Sequence, residues 1–316
     1  MFRRLTPLLI VLGLLAVPAS ASAVNIRVGI GDQSPLMFPN ADYKALNLKL
    51  TRYFIEWNAV TDSEELAKAD AFVTAARASN VKVLMHISTA DIKSGTPKLP
   101  SLANYRKRVG ALIRRFKPRG VTDWGAWNEA NHKTQPTSKN PRAAAQFFGA
   151  MRQLCTGCTI VALDVLDQRG VESYVARFYK AAGANAARAR IVGIHNYSEV
   201  NRKLTKGTNA YPGTRRIIDA VLKANKRAKF WYTETGGLTA QGNAFPCDNA
   251  RAADRTRYMF TLAKRFDRYI DRLYTYNWTP SPDCETSVFD GGLINPDGST
   301  RPAYAVFKRN LASFKR

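Results

Sequence analysis

The chain has 316 residues, with 48 lysines and arginines against 24 acidic residues, a formal net charge of +24. That length is too great for a small sandwich and suits one large α/β unit able to bury a sizeable core. The charge favours acidic partners: anionic cell-wall polymers, acidic polysaccharide, a membrane surface or nucleic acid.

Arg3 and Arg4 precede an apolar segment from Leu8 to Val17 and then Ala21-Ser22-Ala23. A basic start, a short apolar middle and a small-residue site form the layout of a secretory signal over residues 1–23, cleaved near Ala23. The apolar segment is about half the length that spans a bilayer, and no later run is longer. The expectation is a secreted protein without stable membrane insertion; a retained N-terminal anchor is the alternative. No cysteine follows the cleavage site, which argues against a lipid anchor.

From residue 24 to 316 the sequence alternates between two patterns, with no linker or repeated block, and reads as one domain. Eight apolar, β-rich runs predict strands: Asn25–Gly31, Leu48–Trp57, Val81–Ser88, Val121–Asn128, Thr159–Val165, Arg190–Tyr197, Ala228–Glu234 and Arg272–Trp278. Helical patterning falls between them at Ser63–Ser79, Leu102–Phe116, Pro141–Leu154, Val171–Ala182, Thr214–Asn225 and Ala250–Tyr269. Ser63, followed by Glu64 and Glu65, has the form of an N-cap with acidic first-turn residues. Pro141 after Asn140 fits a helix start. The connection after the first strand shows the weakest pattern.

Eight βα alternations without a phosphate loop or dinucleotide fingerprint predict a closed (β/α)8 barrel (the TIM-barrel class of α/β fold) rather than an open sheet. Function in such barrels sits at the carboxyl ends of the strands. That rule selects Trp57, Asn58, His86, Asn128, Glu129, Asp164, His195, Tyr197, Glu234 and Trp278. Within this set, Trp127-Asn128-Glu129 and Tyr232-Thr233-Glu234 each close an apolar run with a glutamate. Two carboxyl groups at one strand-end pocket are the minimum equipment for cleaving a glycosidic bond.

These features resemble the retaining glycoside hydrolases of clan A, families 39 and 5 in particular. The resemblance rests on Asn128-Glu129 after strand four, His195-Asn196-Tyr197 on strand six, Glu234 on strand seven and Trp278 on strand eight. The segment Gly-Gly-Leu-Ile-Asn-Pro-Asp-Gly-Ser-Thr-Arg-Pro-Ala-Tyr at 291–304 adds to it. It implies that Glu129 is the general acid/base and Glu234 the nucleophile, that Asn128 donates to the sugar 2-hydroxyl, and that Arg52 and Tyr197 steady the nucleophile. His86 and His195 are then candidate substrate contacts and Trp278 a stacking platform for a sugar face. The implied substrate is a poly- or oligosaccharide, β-linked, with an acidic or cell-envelope glycan suggested by the charge.

The remaining motifs point less far. Cys155 and Cys158 form a C-x-x-C, read as a local bridge in a loop or alternatively as a redox pair; Cys247 and Cys284 then pair with each other. Trp127 and Trp231 are expected behind the barrel wall. Two glycosylation sequons, at Asn196 and Asn277, fall on pocket strands and are read as accidental. Three separated histidines without a carboxylate motif argue against a metal site, and no cofactor is expected. The cations are scattered along predicted helices, Arg106, Lys107, Arg108, Arg114 and Arg115 on one and Lys264, Arg265 and Arg268 on another, and no nucleic-acid motif occurs. A barrel that binds glycan without cleaving it is the alternative to an enzyme. A metal-dependent phosphodiesterase or nuclease would need ligands that the sequence does not show.

Overall fold

The computed structural model describes residues 24–90, 97–202 and 213–315. The export signal read at 1–23, and parts of the loops after the third and sixth strands, lie outside them. Eight parallel strands close on themselves in chain order, because β1 (Val24–Gly31) pairs with both β8 (Ile270–Tyr276) and β2 (Leu50–Glu56). Between β2 and β8 run β3 (Lys82–Ser88), β4 (Asp123–Gly125), β5 (Thr159–Leu166), β6 (Ile191–His195) and β7 (Lys229–Thr235). A two-residue β9 (Phe314–Lys315) adds to β1 after the last helix. The fold is a single-domain (β/α)8 barrel, as the alternation of patterns predicted.

The helices that wrap the barrel follow the sequence pattern closely. They are α2 (Ser63–Ala78), α3 (Leu102–Phe116), α4 (Pro141–Leu154), α5 (Val171–Ala182), α7 (Gly213–Ala224), α8 (Asn249–Arg265) and α9 (Pro302–Leu311). Two short helices, α1 (Ala41–Leu46) and α6 (Tyr197–Asn201), complete the described set. The cap of α2 is Asp62, not Ser63: its Oδ1 accepts from the amides of Glu64 and Glu65. Aspartate fills the cap position as well as serine does, so the sequence signal was one residue out.

Side chains alternate about each strand and build two cores. The larger lies between barrel and helices and includes Trp127, stacked on Phe147 at 5.0 Å. The smaller fills the lumen with Leu50, Leu84, Val161, Trp231 and Tyr274. Trp231 therefore faces into the barrel, not behind its wall as the sequence suggested. Register shifts in β7, between Phe230 and Trp231 and again between Tyr232 and Thr235, break the strict alternation on which that reading relied. Such irregularities re-aim side chains, and here they bring Glu234 to the open end of the lumen.

Candidate active site

Above the apolar lumen layer sits a buried polar one. Arg52 of β2, His86 of β3, Asp164 of β5 and His195 of β6 are each at most 1% exposed. Two glycines make room for it. A Cβ on Gly125 would stand 1.8 Å from the His86 ring, and one on Gly193 1.8 Å from Asp164 Oδ1. Any side chain there would displace the layer.

The two histidines carry opposite charge states, each set by its neighbours. Burial would push His195 down, but Asp164 and Glu234 outweigh it with their charge, and Asp164 and Glu129 with hydrogen bonds, raising the imidazole to about 10. Its Nε2 lies 2.9 Å from Asp164 Oδ2 and its Nδ1 3.0 Å from Glu129 Oε1, so each ring nitrogen faces a carboxylate. His86 is the reverse: burial, reinforced by the positive Arg52 and His195 nearby, lowers it to about 3 despite the opposing charge of Asp164. Neutral His86 accepts at Nδ1 from Arg52 Nε at 3.2 Å. Burial raises the carboxyl of Asp164, yet the surrounding charge, that of His195 first, holds it well below the usual range. The Thr233 hydroxyl also donates to Asp164.

The two glutamates stand on this layer. Glu234 accepts from Arg52 Nη1 at 2.7 Å and from the Tyr197 hydroxyl at 3.0 Å. Burial, and then the Glu234 charge, raise that hydroxyl well above its ordinary range, which keeps it a donor. Tyr197 comes from α6 rather than from strand six, which ends at His195. Asp167, just past β5, places it by accepting the Ser198 and Glu199 amides at the start of α6.

Glu129 follows a β4 that ends at Gly125, three residues short of the expected boundary. The chain after Gly125 is fastened sideways. Asn128 N donates to Ile87 O at 2.7 Å, Glu129 N to Asp164 Oδ2 at 3.3 Å, and Ala130 N to Asp164 O at 2.8 Å. Glu129 adopts φ of 46°, a left-handed conformation unusual for a side chain of this kind. Strain held by surrounding bonds is characteristic of functional positions. Asn128 Oδ1 accepts from Arg52 Nη2 at 2.5 Å, which leaves its amide nitrogen free to face the cleft it lines.

Glu129, Glu234 and His195 each offer one atom within 4.8 Å of the others. The two carboxylates therefore reach one another across a cleft of about 470 Å³. Its walls include Phe54, His132, Gln168, Arg202, Phe245, Tyr276 and Phe289. Carboxylate, imidazole and carboxylate also form a possible donor set for a metal ion, although the sequence showed no cluster. A metal ion there would have to displace the proton that His195 Nδ1 shares with Glu129 Oε1.

Of the residues singled out from sequence, Glu129, Glu234, Asn128 and Tyr197 line the cleft, and Arg52 and His195 hold the glutamates from below. His86 lies deeper and touches Arg52 rather than the cleft. Trp278 is a correction. It is 1% exposed and packs edge-on to Tyr43 and Tyr304, in the outer core, while Asp32 Oδ2 holds its amide at 2.9 Å. Strand β8 ends at Tyr276, so the chain has already left the barrel wall, and Tyr276 is the aromatic residue that lines the cleft. The sequon at Asn196 is wholly buried. Asp164 was visible among the strand-end residues, but its role depends on partners 31 to 112 positions away. Phe245 and Phe289 come from long loops and carried no local signal. Both cysteine pairs are bonded, with Cys155–Cys158 closing the turn after α4 and Cys247–Cys284 joining the loops after β7 and β8.

No family model matches this sequence, and no curated protein sequence does. Solved structures match throughout the chain. A family 39 glycoside hydrolase from the gut symbiont Bacteroides cellulosilyticus WH2 superposes with a TM-score of 0.62 at 14% identity, over 92% of this chain and 64% of that one. A GH10 xylanase with a bacterial Ig-like domain, from termite gut, gives 0.60 at 15% identity, over 93% and 78%. An intracellular xylanase from Thermoanaerobacterium saccharolyticum, in complex with xylotriose, gives 0.57 at 14% identity, over 89% and 95%. The chain thus spans about two thirds of the length of the family 39 enzyme. What is shared at these identities is the barrel.

Proposed function

We propose that the protein is an exported glycoside hydrolase that cleaves β-linked poly- or oligosaccharide by double displacement, with retention and without a cofactor. The observation that carries this reading is that one carboxylate oxygen of Glu129 and one of Glu234 lie within 4.8 Å of each other across one open cleft. Carboxyl groups about 5–5.5 Å apart suit direct attack by one of them, whereas about 6.5–9.5 Å leaves room for an intervening water. The xylanase and glycosidase barrels that superpose on this one support the substrate class.

Glu234, fixed by Arg52 and Tyr197, attacks the anomeric carbon. Glu129, the more open of the two, gives its proton to the departing glycosidic oxygen, and the C–O bond breaks. A glycosyl ester on Glu234 results. Water enters, loses its proton to Glu129, attacks the same carbon and releases Glu234. Negative charge passes from Glu234 to Glu129 and back, and His195, 3.6 Å from one and 3.0 Å from the other, keeps its positive charge beside both. Screening plant, bacterial and fungal glycans for released reducing ends tests the activity. A 2-fluoro glycoside of the responsive sugar should then leave a covalent adduct on Glu234, and Glu234→Ala should abolish turnover without unfolding the chain. An active substrate with wild-type turnover in that variant would refute the assignment.

A further inference from the structure

The cations that look scattered in sequence are gathered in space. The segments that lead from a helix into β2 to β8, all at the barrel end opposite the cleft, hold eight lysines or arginines and one acid, Asp267. The described segments outside the helices that leave the strands at the cleft end hold nine acids and six cations. The described loops are therefore polarised along the barrel axis, with net positive charge on the face that carries no candidate chemistry.

That face has a formed depression. Lys49, Arg77, Lys82 and Arg119 line a cavity of about 620 Å³ beneath β2, β3 and β4. Lys82 is paired with Asp123 and Arg119 with Asp70. Lys49 and Arg77 are exposed and have no ion-pair partner among the described residues. Arg188 and Arg190 line a smaller cavity of about 210 Å³ on the same face.

We infer that this N-terminal face of the barrel is a docking surface for an anionic polysaccharide, which holds the protein on its glycan with the cleft turned away from the contact. The choice of a glycan rests on the glycosidase reading; the anionic character rests on the charge map. Leu99 and Val288, two of the three exposed large apolar residues among those described, lie in loops at the cleft end, while Leu36 lines a recess with Leu48 and Lys49 beside the basic depression. One exposed leucine beside the depression is too little for a bilayer wedge, and no aromatic residue among those described is exposed there to stack on bases. Carboxylates repeating along a polymer fit separated cations in shallow depressions.

Co-sedimentation with polygalacturonate, a polyuronide, tests the inference, with neutral dextran as the control. The wild type and Glu234→Ala should both bind polygalacturonate at low salt and release it near 0.5 M NaCl, because ion-pair attraction is screened and bound counterions return. The pair Lys49→Glu with Arg77→Glu should weaken binding by about tenfold or more, while turnover of a small soluble glycoside stays at the wild-type rate. The pair Lys139→Glu with Arg169→Glu changes net charge equally but at the cleft end, and should leave binding near the wild-type level. Equal losses in the two pairs, no binding to polygalacturonate, or tighter binding to duplex DNA or anionic vesicles would overturn the assignment. Loss of hydrolysis in every form, with face-specific binding retained, would refute the glycosidase reading and leave the docking surface standing.

Discussion

The barrel buries an aspartate among cations at each end of its lumen, and the two ends behave differently. At the N-terminal end Asp123 meets Lys82 at 2.7 Å and Arg272 at 2.5 Å, and Arg272 lies over the Trp231 ring at 3.8 Å. Two cations there close on one acid, and none of the three lines the cleft. At the C-terminal end Asp164 shares Arg52 and His195 with Glu129 and Glu234, so three acids surround two cations and two of those acids reach the cleft. The same chemistry makes a plug where the charges close on one another and a reaction centre where acids exceed cations beside an opening.

The sharpest break between the ends should be kinetic. Glu129→Gln is expected to slow hydrolysis of an unactivated glycoside by about 10²–10⁴-fold. It should cost far less on an aryl glycoside whose leaving group needs no proton; equal losses on the two substrates would deny Glu129 its acid role. Asp123→Asn, in contrast, should leave kcat within about twofold and lower unfolding stability by about 3 kcal/mol, since Arg272 loses its buried partner. Denaturant melts read beside steady-state rates separate the two effects.

A second contrast divides the aromatic residues that end β8. Trp278→Ala should cost about 3–5 kcal/mol of stability, as expected for a core tryptophan. Tyr276→Ala should mainly raise KM. A Trp278 variant that folds normally but binds sugar poorly would restore the sequence reading of a platform.

The smallest expected effect is on the pH profile of stability. His195, raised in the fold from 6.5 to about 10, contributes fully below pH 6.5, and that contribution is lost as pH climbs toward 10. His86, lowered to about 3, and Asp164, also lowered, contribute above their unfolded values, and that stability is lost as pH falls. Stability should peak near pH 6.5, and His195→Asn should flatten the alkaline limb and also shrink the acid one, because the His195 charge helps to hold Asp164 and His86 down. An unchanged alkaline limb would mean that His195 is not held as a cation.

Much of this was legible from residue order. Alternation of period-two and helical patterns gives the barrel, and the strand-end rule gives both glutamates. The misplacements share one cause. Trp231 was assigned from strict alternation, which the shifts in β7 interrupt, and Trp278 from the strand-end rule and the resemblance, which the early exit of β8 defeats; both depend on how neighbouring strands pair. Ser63 lost the cap to Asp62, a competition between adjacent residues that composition does not decide. The charge of His195 and the gathering of cations at one end arise from residues far apart in sequence, so no local window contains them.

The central claim is that residues 129 and 234 act on a single anomeric carbon in two successive displacements. Proton NMR of the first sugar released, recorded before mutarotation, reads this directly. The account predicts a product with the anomeric configuration of the substrate. The opposite anomer as first product would contradict it.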